Sequence, residues 1–119
     1  MTAAAQTLDD FQWEKRLLVV TESSDALSRK LIANKVGLAE RDIEVFVLKG
    51  PVAPGKSPGA ALSQELRERM KIRDGAAEVL LLGKDGRTTL RWNTADFSIA
   101  SLFAKIDAMP MRRREMRDR

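Results

Sequence analysis

Residues 17–48 read LLVVTESSDALSRKLIANKVGLAERDIEVFVL, and the fold follows from how this stretch divides. Leu17, Leu18, Val19 and Val20 form a short apolar run ending in β-branched residues, the pattern of a strand buried on both faces. The run stops at Thr21-Glu22-Ser23-Ser24-Asp25, residue types that cap helices. The spacing then predicts a helix over 25–36. Leu27 and Leu31 lie four apart, as do Ile32 and Val36, and Gly37 suits the position just past a helix end. Residues 43–48 are apolar except Glu44 and read as a second strand. Two near-continuous apolar strands separated by a helix predict a parallel βαβ unit.

Working outward, residues 49–59 hold three of the four prolines and three of the seven glycines. That composition predicts an irregular, mobile connection. Ser57-Pro58 matches a capping serine followed by proline at the first helical position. Leu62, Leu66 and Met70 then repeat every four residues, giving a helix to about Ile72. Residues 78–82 read as a third strand, and Gly83-Lys84-Asp85-Gly86 as a type I′ hairpin turn with a solvated lysine. The return over 87–92 alternates Thr88, Leu90 and Trp92 with Arg87, Thr89 and Arg91, as an edge strand with one wet face does. Thr94 is placed to cap a last helix in which Ile99, Leu102, Phe103 and Ile106 share a face, and Pro110 should end it. Upstream, Leu8, Phe11 and Trp13 read as an apolar clip over the domain. Trp13 and Trp92 are expected to be partly buried packing residues. The order βαβ-α-ββ-α is that of a thioredoxin-like α/β sandwich around a four-stranded mixed sheet.

The chain has 119 residues, 44% hydrophobic and 32% charged, enough for one domain with a single core. It contains no cysteine, histidine or tyrosine. Disulfides, Cys/His zinc sites, cysteine nucleophiles, dithiol couples and triads with an imidazole base are therefore excluded, and no cofactor is expected. The net charge of +4 is concentrated at the end. Residues 112–119 carry five arginines against Glu115 and Asp118, leaving residues 1–111 with sixteen basic and fifteen acidic side chains. That balance, without aromatics interleaved in a basic stripe, argues against a nucleic-acid partner. No apolar run exceeds four residues, so no membrane span is expected. The chain divides into a flexible N-terminus (1–7), a domain (8–111) and a basic tail (112–119). Ala3-Ala4-Ala5-Gln6 is compatible with the small-residue end of a secretory signal.

Four motifs occur in order: LDDFQWEKRLLVV at residues 8–20, Glu40-Arg41-Asp42, Leu82-Gly83-Lys84-Asp85-Gly86, and Ile106-Asp107-Ala108-Met109-Pro110-Met111-Arg112. Together they resemble the DUDES family, a domain of unknown function, from Leu8 to about Met116. The last string is the most specific of the four. The family occurs as short bacterial proteins, often exported, and as modules of vertebrate extracellular sushi-repeat and coiled-coil-domain-containing proteins. The resemblance implies a thioredoxin-like, specifically peroxiredoxin-like, fold and no settled activity. It implies a periplasmic or secreted location, with the cytoplasm as the alternative. Where a working thioredoxin relative has its reactive cysteine, this chain has Glu22-Ser23-Ser24-Asp25. Where a cis-proline would precede the third strand, it has Ala76-Ala77-Glu78.

Several residues carry a functional and a plain reading side by side. Glu22, Ser23, Ser24 and Asp25 form either a vestigial ligand loop or a helix cap, and two carboxylates there favour the cap. Lys84 and Asp85 form either a lysine–carboxylate site or a turn. Arg41 and Asp42 form either a ligand contact, or a surface pair or strand-entry turn. Asp107, Met109, Pro110, Met111 and Arg112 form either a docking surface or the finish of the last helix, with Asp107 paired to an arginine. The expected function is a redox-inactive, protein-binding module, monomeric or weakly oligomeric. The alternative is a non-thiol enzyme or ligand-binding protein in which Glu22, Asp25 and Lys84 converge.

Overall fold

Two strands are apolar after a charged first residue because helices cover both of their faces. In the computed structural model, which describes residues 7–117, β1 (Arg16–Val20) and β3 (Glu78–Leu82) are buried at every position. The expected signal remnant at residues 3–6 and the last two residues of the basic tail lie outside the described residues. β2 (Ile43–Val47) runs parallel to β1, placing Leu18 beside Val45. β3 is antiparallel to β1, and β4 (Thr88–Asn93) is antiparallel to β3 at the sheet edge. The order is β2-β1-β3-β4, the mixed four-stranded sheet expected from the pattern. Successive strand residues point to opposite faces, so β1, β2 and β3 each feed two cores, whereas β4 packs on one face only. Leu18, Val20, Val45 and Leu81 pack with Leu27, Leu31, Leu38, Leu102 and Ile106 of the helices on one face. Leu17, Val19, Phe46 and Leu80 pack with Leu62, Leu66, Met70, Leu8 and Phe11 on the other. Each such leucine contributes on the order of 1.5–3 kcal/mol by leaving water.

The first helix is broken in two. α1 (Asp25–Ala33) ends at Asn34, and α2 (Lys35–Glu40) continues to the turn before β2. Gly37 is therefore inside a helix rather than past its end. A Cβ there would lie 2.7 Å from the Phe103 ring, so any larger residue would have to push that ring aside. The break also redirects the apolar pattern: Leu27, Leu31 and Leu38 are buried, whereas Ile32 is exposed and Val36 is 65% exposed. α3 (Ala60–Arg69) starts three residues after Ser57, with Gly59 at its cap position. The preceding connection is less irregular than its composition suggests. Lys56 N donates to Val45 O and its carbonyl accepts from Val47 N, pairing part of the loop with the outer edge of β2.

The turn after β3 is not type I′, which needs positive φ at both central residues. Only Gly86 is left-handed (φ +84), Gly86 N donates to Gly83 O, and the β3–β4 register shifts between Leu81 and Leu82. Thr94 opens a short 3-10 turn, and Ser98 caps α4 (Ile99–Asp107) by accepting from Ser101 N at 3.2 Å. Pro110 ends that helix but begins another, α5 (Pro110–Arg117), so ordered structure passes the boundary expected at residue 111. Proline suits this start because it lacks an N–H that the first turn would leave unpaired. Trp92 packs edge-on against Phe97 at 5.1 Å, whereas Trp13 is 62% exposed at φ +69 and does not pack as expected.

Candidate functional site

The chemistry-bearing side chains gather at the end of the sheet where β1 and β2 begin and β3 finishes. Arg16, the first residue of β1, is only 1% exposed. Its guanidinium donates to Arg41 O at 2.7 Å and to both carboxylate oxygens of Glu115 at 3.3 Å. Lys84, expected in solvent, is 8% exposed, because its turn folds back over this end of the sheet. Its Nζ donates to Asp42 Oδ2 at 2.9 Å and Glu115 Oε2 at 2.7 Å. Asp42 is held there by a left-handed backbone (φ +54) and accepts Arg16 N at its own carbonyl.

A second group adjoins the first. Arg41 donates two parallel hydrogen bonds to Asp107, at 3.0 and 2.9 Å, and a third to Gly37 O. Its guanidinium lies 3.9 Å from the centroid of the Phe103 ring, a cation–π contact. Arg112 is buried, donates to Asp107 at 3.4 Å and Glu40 O at 3.0 Å, and lies 3.7 Å from Glu115. Arg41 and Asp42 are thus not a mutual pair; they form the turn entering β2, as expected, and each reaches across the fold to a different partner. Asp107 and Arg112 pair with each other; Arg112 is buried, whereas the Asp107 side chain is 35% exposed. Met109 packs against the core, and Pro110 is exposed. Asp85 accepts from Arg87 N at 3.1 Å and serves the turn.

All three carboxylates are pushed toward the ionised form. Burial tends to raise Asp42 and Glu115. For Asp42 the Lys84 hydrogen bond and charge, with Lys15 and Arg16, outweigh burial and hold it below its ordinary value. For Glu115 the bonds and charges of Lys84 and Arg16 do the same. The Arg41 hydrogen bonds chiefly lower Asp107, against burial and with help from the Arg41 charge and Arg112. A general base or acid works best with a pKa near the operating pH. Carboxylates held well below it suit fastening rather than proton transfer.

The loop at the redox position lies at the other end of β1. Five steps of about 3.3 Å separate Arg16 from Thr21, roughly 17 Å. Glu22 and Asp25 are exposed there, Ser24 Oγ caps α1 by accepting from Leu27 N at 3.2 Å, and Ser23 donates to the Ser24 carbonyl at 3.4 Å. Glu22, Asp25 and Lys84 therefore do not converge, and the alternative enzyme site built on them is set aside. Among the described residues, no group of His, Cys, Asp and Glu could hold a metal ion, and no helix is long and apolar enough to cross a membrane. Arg16 and Glu115 escaped notice in the sequence. Their only signal was a charged residue abutting a fully apolar strand and a lone acid within an arginine run.

The outer face of α5 is different in kind. Arg113, Arg114, Met116 and Arg117 are exposed, and none of the three arginines has a partner among the described residues. A groove of about 640 Å³ runs along this face, lined among the described residues by those side chains and Pro110.

A family model described as "Domain of unknown function (DUF4174)" matches residues 7–115. Among solved structures, the reduced 2-Cys peroxiredoxin of Plasmodium vivax is similar at TM-score 0.63 and 14% identity, over 90% of this chain and 84% of that one. The mitochondrial 2-Cys peroxiredoxin from Plasmodium falciparum gives 0.57 and 8%, over 85% and 79%. The apo form of Trgpx gives 0.55 and 17%, over 82% and 81%. At these identities the likeness shows the fold alone, which is thioredoxin/peroxiredoxin-like.

Proposed function

The chain belongs to the DUF4174 family, and from that premise we propose that it is a thioredoxin-like module that binds another protein without thiol chemistry. The observation that carries this reading is the outer face of α5. Arg117 lies four and three residues after Arg113 and Arg114, the three project without side-chain partners among the described residues, and they flank Met116 and Pro110. Unpaired arginines recognise carboxylates by forked hydrogen bonds, and methionine adapts its shape to apolar contacts. The partner that fits is an acidic protein surface with an apolar centre. In support, the position of a reactive thiol is filled by residues that cap a helix, and the buried charges satisfy one another. The docking role first read into Asp107 and Arg112 moves one helical face outward, to Arg113, Arg114 and Arg117.

The likeness to the DUDES family supports a place in the cell envelope. Cross-linking of the native full-length protein, followed by comparison with Arg113→Glu/Arg117→Glu, tests both points. One acidic partner should be recovered by the wild type, weakened by salt and lost from the folded variant. Identical recovery by the variant removes α5 from the reading, and recovery from the cytosolic fraction alone removes the envelope.

A further inference from the structure

At the network end of the sheet, one carboxylate sits between two buried cations that hydrogen-bond to it, with buried Arg112 a further 3.7 Å away, and comes from an element held mostly by charge. Arg16 aims Nη1 and Nη2 at the two oxygens of Glu115, each at 3.3 Å, and Lys84 Nζ donates to Oε2 at 2.7 Å. Both cations are anchored independently of α5. Arg16 is held by Arg41 O at 2.7 Å and Lys84 by Asp42 at 2.9 Å. Their positions are therefore set by β1, the turn after β3 and the entry to β2, whatever α5 does. A guanidinium fork joined by an ammonium is the arrangement that binds a carboxylate. α5 itself buries only Arg112 among its side chains, so apolar contact contributes little to its docking. Over the two cations opens a cleft of about 320 Å³, walled by Met109, Pro110 and Met111, with Arg114 among its lining.

We propose that Arg16 and Lys84 form a carboxylate receptor in which Glu115 is the internal occupant. An external monocarboxylate on a short apolar chain takes the place of Glu115 when that side chain swings out of the site and α5 stays in place. Its carboxylate meets the two cations, and its tail lies against Met109, Pro110 and Met111. The inference does not depend on what binds the outer face of α5.

Thermal unfolding of the full-length Glu115→Ala variant tests it, with sodium acetate compared with sodium chloride at equal ionic strength. Acetate should raise Tm saturably by about 4 °C beyond chloride. The wild type, in which Glu115 competes for the site, should show a smaller difference that needs higher acetate. Adding Lys84→Met to the variant should abolish the response. Butyrate should reach half-effect at about tenfold lower concentration than acetate, because two more methylenes meet the apolar wall. If Glu115→Ala does not fold, Glu115→Gln carries the same titration, since a neutral amide leaves both cations unneutralised. Superimposed acetate and chloride curves overturn the receptor. An equal response in the wild type overturns the role of Glu115, and equal potency of acetate and butyrate overturns the apolar-chain ligand.

Discussion

Replacing Lys84 with methionine tests whether the buried network holds the domain together. The substitution keeps the unbranched stem and removes the charge. It deletes two charge-assisted hydrogen bonds, to Asp42 and Glu115, each worth about 1.5–3 kcal/mol where fully buried. Two features reduce the sum. The Asp42 side chain is one-third exposed and rehydrates, and Glu115 keeps both bonds from Arg16. A net loss of about 2–3 kcal/mol follows. For 119 residues the unfolding entropy is about 0.25 kcal/mol/K, so Tm should fall by about 8–12 °C. Circular dichroism melts and urea titrations read both quantities, and an unchanged urea slope shows that the folded state is intact. The pH dependence is the sharper reading. Asp42 and Glu115 titrate below their ordinary values in the folded chain. Their contribution is therefore present above about pH 4 and lost as pH falls through the depressed folded values. Without Lys84 the part of that contribution due to its bonds and charge is absent, while Arg16 still lowers Glu115. The gap between wild type and variant should narrow as pH falls through the depressed folded values. Equal stability at neutral pH, or a gap undiminished in acid, would refute the reasoning.

Two further substitutions probe the neighbouring contacts. Asp107→Asn loses the forked bond from Arg41. Because the Asp107 side chain is 35% exposed, solvent screening limits the cost to about 1 kcal/mol, or about 4 °C in Tm. Its gap to wild type should also shrink in acid, since Asp107 is held below its ordinary value by Arg41. Gly37→Ala should destabilise by about 1–2 kcal/mol, although alanine is the better helix former, because its Cβ would lie 2.7 Å from the Phe103 ring. Phe103→Leu in the same chain should recover part of that loss, and a gain from Gly37→Ala alone would show that the contact yields freely.

The strands and two of the helix faces were legible because burial imposes a short period. Leu17 to Val20 are apolar throughout since both sheet faces are covered, and Leu62, Leu66 and Met70 share one helical stripe. The same period misled at Ile32 and Val36, where a break at Asn34 turned an apparent apolar pair outward. Turn chemistry misled at Lys84. Its turn type, and therefore the direction of the lysine, depends on a bulge that the dipeptide Asp-Gly does not specify. The basic end read as a solvated tail because α5 has almost no apolar side to mark it as folded.

Local pattern was sufficient for the mixed α/β sheet, the edge position of β4 and the absence of cysteine from the sequence, since each depends on residue type or on neighbours a few positions away. The site required the folded chain. Arg16 and Glu115 are 99 residues apart, Arg41 and Asp107 are 66, and Lys84 and Asp42 are 42. A charged side chain looks the same in sequence whether it meets water or a buried counter-ion. Only the closing of α5 over the ends of β1 and β3 decides which.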